Sequence, residues 1–504
     1  MEAERMGHAL GSRAALLEMS PEEFRECGHL LVEAIADYLA GIRSRRVTPG
    51  ESVEEIRKLI AAHRKMPEKG SPAGELLEQA AALILNHSLL NGHPRFLGYI
   101  TSSAAPIGAL ADLLASAVNP NVGAWNLSPV ASEIEAQTVR WIASLLGYPV
   151  NCGGLLVSGG NVANYVCFLA ARASKAGWDV RKEGMAASGA VPLCVYASKE
   201  THTWIQKAAD LCGIGTDAIR WVPSDGEQRL SLEHLRRQVE EDLSLGKRPF
   251  LVVGTAGTVS TGAVDPLPEI AEFCRERSLW FHVDGAYGAV AAQVPGAPPS
   301  LAGLAQADSV AVDPHKWLYS PLEAGCALVR DSAQLRDTFS YHPPYYRFDE
   351  DKVNYFDYGL QNSRGFRALK VWLILQQAGR AGILKMVGDD ISLSKTMYRL
   401  IAAHPELEGL TQNLSITTFR YVPLDLRARL GSEEVETYLN QLNQELQAAV
   451  EQSGEAFLSN AIIDGRYALR ACIVNFRTSP ADVETLPGLV AGIGRRTDSR
   501  LRGL

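Results

Sequence analysis

Hydrophobic and polar positions along this chain change period from one region to the next. Near the start, Phe24, Cys27, Leu31, Ile35, Tyr38 and Ile42 recur at helical spacing and form one apolar stripe. Ser20 ahead of Pro21 and Glu23 reads as an N-cap, a first-turn proline and a capping box, so a helix starts there. A stripe outside the main sheet pattern needs a surface to cover. Periodicity leaves open whether that surface is its own domain or a partner subunit. From about residue 93, short apolar runs take over at 154–157, 193–196, 250–253, 280–283, 310–312 and 325–329, alternating with helical segments. This alternation predicts an α/β domain with a mostly parallel central sheet flanked by helices. Past a helix at 366–378 the pattern shifts again: a long amphipathic helix through 391–402, strands at 415–421 and 467–474, and helices at 433–451 and 482–493. The expected organisation is an N-terminal helical segment over 1–92, a large α/β domain over 93–385 and a small α+β domain over 386–504.

Composition narrows the function. At 504 residues, with 46% hydrophobic and 21% charged positions, the chain reads as an ordinary globular protein of two or three domains. A net charge of -8 with no arginine-rich arm excludes a phosphate-backbone binder, so no nucleic-acid partner is expected. The eight cysteines are scattered singly without a CxxC pair, which argues against a zinc site and against a disulfide framework. The opening residues lack an apolar signal core, and charged, Gly or Pro residues break every long apolar stretch. A cytoplasmic protein without a membrane span is therefore expected.

Candidate chemistry gathers at the ends of the predicted strands, where ligands collect in open parallel sheets. Asp313-Pro314-His315-Lys316-Trp317 follows the apolar run Ser309-Val310-Ala311-Val312. A lysine at a dry strand end loses hydration, its pKa falls, and its neutral amine can attack an aldehyde. Asp284 ends the preceding run, one helix and one strand earlier, beside the small residues Gly285 and Ala286. A lysine and a buried aspartate are what pyridoxal 5'-phosphate requires: an amine for its aldehyde and an anion for its ring nitrogen. Taken singly, Lys316 could be a surface lysine and Asp284 a turn residue or cap. The apolar setting, with His315 and Trp317 on either side, is a poor one for a solvated amine. Ser158-Gly159-Gly160-Asn161 opens a helix after a strand; it is either a plain strand-helix turn or a phosphate site. Thr255 closes another run, and His202 in Thr201-His202-Thr203-Trp204 is a cap, a core residue or a ring that stacks on a coenzyme.

Taken in order, these segments resemble the group II pyridoxal-phosphate-dependent amino-acid decarboxylases, and within them the aromatic-L-amino-acid decarboxylase branch. The likeness also takes in Glu22-Glu23-Phe24-Arg25, His93-Pro94-Arg95-Phe96, Trp125, Ser128-Pro129, Glu133-Ile134-Glu135 and Phe366-Arg367-Ala368-Leu369-Lys370-Val371-Trp372. The resemblance implies the fold type I architecture of pyridoxal-phosphate enzymes and a homodimer with its site at the interface. It implies Lys316 as the Schiff-base lysine, Asp284 as the ring-nitrogen partner, His202 as the stacking histidine and Ala286 on the opposite ring face. Thr255 matches the threonine beside the phenolic oxygen; Gly159, Gly160 and Asn161 match the phosphate turn, with Asp313 and His315 flanking phosphate and lysine. Phe339, Pro343 and Tyr345 match a loop that closes over the site. Tyr345, with Tyr346 beside it, is then the expected source of the proton returned to the α-carbon. The implied reaction releases carbon dioxide and an amine, and no metal is implied. For the substrate, Tyr99 and Ile100 stand where glutamate decarboxylases tend to show a polar pair, which suits an aromatic side chain. Trp125 and Ser363 complete the expected substrate contacts, Ser363 at a position that goes with tyrosine preference in plant relatives. Gly123 stands where animal aromatic decarboxylases carry phenylalanine. Alternatives are glutamate or another acidic amino acid as substrate, oxidative aldehyde synthesis, transamination, or a scaffold with a dead site.

Overall fold

A computed structural model describes residues 16–341 and 352–503. They divide between Leu90 and Asn91 into two compact units. The first is built from the helices Pro21–Gly41, Val53–Leu59 and Ala73–His87. Ser20 caps the first of these by accepting the Glu23 amide at 3.1 Å, and Pro21 occupies its opening turn. Only Cys27 on that helix is buried. Phe24, Val32 and Ile35 remain exposed, so this unit covers little of the apolar stripe.

The second unit is organised by a sheet of seven strands: β1 (Gly153–Val157), β2 (Leu193–Ser198), β3 (Ile219–Val222), β4 (Arg248–Thr255), β5 (Trp280–Asp284), β6 (Ser309–Val312) and β7 (Gly325–Val329). Their order is β1-β7-β6-β5-β4-β2-β3, parallel from β6 to β3, with β7 antiparallel to both of its neighbours. Residues of β1, β2, β5, β6 and β7 are buried throughout, so these strands read in the sequence as unbroken apolar runs. A second, antiparallel sheet in the order β10-β11-β9-β8 contains β8 (Leu407–Asn413), β9 (Ile416–Tyr421), β10 (Ser459–Ile463) and β11 (Arg466–Cys472).

The helix Ala368–Ala403 joins the two sheets, broken at Gly379, where φ is +63°. Val371, Ile374 and Ile383 pack in the core that holds Val252 and Phe281 of the large sheet. Met397 and Ile401 pack in the core that holds Phe419 and Leu469 of the small one. The domain division expected after residue 385 falls inside this helix.

Candidate active site

The parallel register brings three strand ends together. Thr255 at the end of β4 pairs with Asp284 at the end of β5, and Asp284 pairs with Ala311 in β6. Side chains alternate along β5: Phe281 and Val283 enter one core, Trp280 the other. Asp284 therefore shares the face of Trp280 and His282, against which Phe168 and Trp204 pack from the helices Gly160–Lys175 and Trp204–Leu211. Asp284 is buried; its Oδ2 accepts the Trp204 indole N–H at 2.7 Å and its Oδ1 accepts the Ala286 amide at 3.2 Å.

Beyond β6 the chain turns through Asp313–Trp317, and the Lys316 amide donates to the Asp313 carbonyl at 2.9 Å. This turn is held from behind. The Trp317 ring stacks on Tyr287 at 4.7 Å, and its N–H donates to Asp390 Oδ2 at 2.9 Å, which also accepts the Tyr319 hydroxyl at 2.8 Å. Lys316 Nζ lies 3.1 Å from Asp313 Oδ2, with its side chain 23% exposed. This carboxylate is the one the resemblance set beside the lysine.

The turn after β1 presents backbone amides of a kind that can take an anion. Gly159 takes φ +127°, a conformation open to glycine, and caps the helix Gly160–Lys175, whose opening amides have no intrahelical acceptor. A Cβ on Gly160 would lie 2.5 Å from Asp313 Oδ2, so the second glycine lets this aspartate approach. The buried pair Glu135–Arg364 steadies β1: Leu156 donates to Glu135 Oε1 at 2.8 Å, its carbonyl accepts Arg364 Nη2 at 2.6 Å, and the two side chains meet at 2.5 Å.

A cavity of about 370 Å³ is lined by Ile100, Gly159, Gly160, Asn161, His202, Thr255, Asp284, Ala286, Asp313, His315 and Lys316, all singled out from sequence. His202 Nδ1 accepts the Trp204 amide at 3.3 Å; desolvation chiefly, and Lys316 further, lower its pKa, against Asp284 and Asp313, so the neutral imidazole is favoured. His315 Nδ1 lies 2.7 Å from the Ala324 carbonyl. Other expected residues lie elsewhere. Tyr99 is exposed, its ring 5.5 Å from that of Phe457; Trp125 donates to Glu133 at 2.8 Å; and Ser363 lines a separate cavity of about 910 Å³ with Asn121, Phe339 and Tyr341. Pro343, Tyr345 and Tyr346 lie outside the described residues. Sequence reasoning assigned no role to Glu200, Trp204, Tyr287 or Glu323, which also line the smaller cavity. The Thr201–Trp204 segment held the signal for Trp204, but its partner Asp284 is 80 residues away.

Two buried oxygens on this wall, Thr255 Oγ1 and Asp313 Oδ1, have no hydrogen-bond partner among the described residues. Together with the glycine turn, the amine and the carboxylate at the end of β5, they fit an aldehyde coenzyme that carries a phosphate, a phenolic oxygen and a ring nitrogen. The class so defined is the pyridoxal-phosphate enzymes. Residues 55–422 match the pyridoxal-dependent decarboxylase conserved domain, and the chain belongs to that family; pyridoxal 5'-phosphate is its cofactor and it is a carboxy-lyase. It is 33% identical over 472 residues to an aromatic-L-amino-acid decarboxylase of Bacillus atrophaeus, covering 93% of this chain and 94% of that one. It is 30% identical over 465 residues to a phenylacetaldehyde synthase of Petunia hybrida, covering 90% and 91%. The crystal structure of an Oryza sativa TDC with PLP and tryptamine superposes with a TM-score of 0.87 at 25% identity, over 95% of this chain and 99% of that one.

Proposed function

We propose that this enzyme decarboxylates an aromatic L-amino acid to the corresponding amine and carbon dioxide. The observation that carries the choice of substrate is the charge of the cavity wall. Lys316 is the only lysine or arginine lining it among the described residues, against Glu200, Asp284, Asp313 and Glu323. Glu323 is paired with Arg367 at 2.7 Å, whereas no cation pairs with Glu200 among the described residues. An acidic side chain would meet repulsion there, while an aromatic one meets Ile100, Val259 and Leu322. The similarity to an aromatic-L-amino-acid decarboxylase points the same way.

Bound in the cavity, pyridoxal phosphate supplies an aldehyde carbon for exchange of amines and a ring that draws electrons from the bond to be broken. Lys316 would hold it covalently and yield to the substrate amine. Asp284 would keep the proton on the ring nitrogen through its fixed negative charge. A neutral His202 would stack without adding positive charge, and Ala286 would leave the other face open. Thr255, with its unpartnered hydroxyl, would meet the phenolic oxygen. Gly159, Gly160 and Asn161 would take the phosphate, flanked by Asp313 and His315. Tyr345 is assigned the return of a proton to the α-carbon.

The proposed assembly is a homodimer, supported by the open stripe on Pro21–Gly41, and the proposed compartment is the cytoplasm, supported by eight unbridged cysteines. Tyr99, Trp125 and Ser363 do not line the cavity of one chain, so a role in substrate recognition would require the second copy to complete the wall. Aldehyde synthesis is the second reading, because a phenylacetaldehyde synthase is among the relatives. One panel tests both: carbon dioxide, amine and aldehyde measured from tyrosine, DOPA, phenylalanine, tryptophan, glutamate and aspartate. Amine from the aromatic set is the expected result. Turnover of glutamate with none of the aromatics would overturn the substrate assignment, and aldehyde in place of amine would favour the second reading.

A further inference from the structure

The two oxygens of Asp284 are treated differently. Oδ2 takes the Trp204 indole N–H at 2.7 Å, while among the described residues Oδ1 has only the longer 3.2 Å contact from the Ala286 amide. Trp204 is 2% exposed, and its ring is held edge-on between Phe168 at 6.3 Å and His282 at 5.6 Å. His282 is itself fixed, with Nδ1 2.8 Å from Ser309 Oγ and Nε2 2.7 Å from Asn164 Oδ1. Asn164 Oδ1 only accepts, so His282 Nε2–H donates to it, and in the neutral ring Nδ1 accepts the Ser309 hydroxyl, whose oxygen also takes the Trp280 N–H at 2.8 Å. Burial pushes His282 down to about 4, so the ring beside Trp204 stays neutral and does not offset the charge on Asp284. An indole caged in this way has its N–H aimed at one oxygen of one carboxylate.

We infer that Trp204 is a positioning residue for the coenzyme: its N–H occupies one oxygen of Asp284, fixes the plane of the carboxylate and leaves the other oxygen for the ring nitrogen. Trp204 lines the cavity beside Asp284 and Ala286, so it acts from the wall of the site itself. The inference rests on the reading of Asp284 as the ring-nitrogen partner.

Trp204→Phe keeps an aromatic ring against Phe168 and His282 and removes the N–H. The expected result is a rise of about tenfold in the dissociation constant for pyridoxal phosphate, a changed visible absorption band of the holoenzyme, and a fall of about tenfold in kcat with KM little altered. Should the smaller ring unsettle the core, a benzothienylalanine installed at position 204 keeps the indole shape with sulfur in place of N–H, and the same changes are expected at unaltered thermal stability. Parental coenzyme affinity, spectrum and kcat in both variants would overturn the inference and leave Trp204 a packing residue. Asp284→Asn separates the two levels of the argument. If it too leaves affinity and spectrum untouched, the ring-partner reading falls and the role of Trp204 falls with it.

Discussion

Single atoms decide whether the glycine turn after β1 can form. A Cβ on Gly160 would reach Asp313 Oδ2 at 2.5 Å, and Asp313 is 2% exposed, so it has little room to retreat. The same aspartate meets Lys316 Nζ at 3.1 Å, so displacing it disturbs the proposed phosphate turn and the lysine together. Gly160→Ala is expected to raise the dissociation constant for pyridoxal phosphate more than tenfold and to cost about 1–3 kcal/mol of stability, as overpacking does. Titration of the apoenzyme with coenzyme and a denaturant melt measure these effects. Gly226→Ala, with nothing within 4 Å of its Cβ, is the matched control. Equal affinities for the two variants would show that Asp313 moves freely and that the second glycine is not required.

Elements hold the reactive side chains from behind, and one of them carries a titration. Asp390 on the helix Ala368–Ala403 accepts both Trp317 Nε1–H and Tyr319 O–H, anchoring the segment on either side of Leu318. Burial pushes its carboxyl up to about 7, against 3.8 for a free aspartate, while the Trp317 and Tyr319 hydrogen bonds oppose the shift. Between those values the folded protein binds the proton that the unfolded chain has lost. Stability from this group is therefore greatest below pH 4, falls as pH rises toward 7 and is level above. Asn at 390 keeps an acceptor and removes the titration, so the Tm difference of Asp390→Asn over the parent should become more favourable from pH 5 to pH 8. A difference independent of pH would refute this account. Asp265, also raised to about 7, is common to both proteins and cancels. Sequence made the candidate site legible where its parts are contiguous, as in Asp313–Trp317, and the large sheet legible where strands are buried on both faces. It did not reveal β3, where Arg220 and Trp221 interrupt a four-residue run, or β10, whose alternate residues face solvent. Nor did it reveal that β7 runs antiparallel, because strand direction leaves no mark on composition. The Trp204–Asp284 bond was hidden for another reason: it joins a helix start to a strand end 80 residues away, and only packing of that helix on the sheet brings them together.

At the scale of the whole molecule, the apolar surface exceeds what one chain needs. Pro21–Gly41 leaves Phe24, Val32 and Ile35 exposed, and Pro106–Val118 exposes Leu110, Leu113, Leu114 and Val118 along one helical face. Contiguous apolar stripes of this kind in water mark interaction surfaces. Two-fold pairing covers the same patch on both copies, which is the commonest way a soluble chain resolves such a surplus. If the pairing also completes the substrate wall through Trp125 and Ser363, assembly and activity must fail together. If the proposed homodimer pairs through this face, Leu110→Glu with Leu113→Glu should move the sedimentation mass from two chains toward one and lower activity by at least tenfold, while the Asp284–Trp204 geometry within each chain keeps coenzyme binding measurable. Mixing Lys316→Ala chains with inactive Trp125→Ala chains then probes the shared wall. A mixed dimer has one cavity in which an intact Lys316 meets an intact Trp125 from the other copy, so activity should return on mixing. If each chain supplied its own wall, every site in the mixture would carry one lesion or the other and activity would stay at zero.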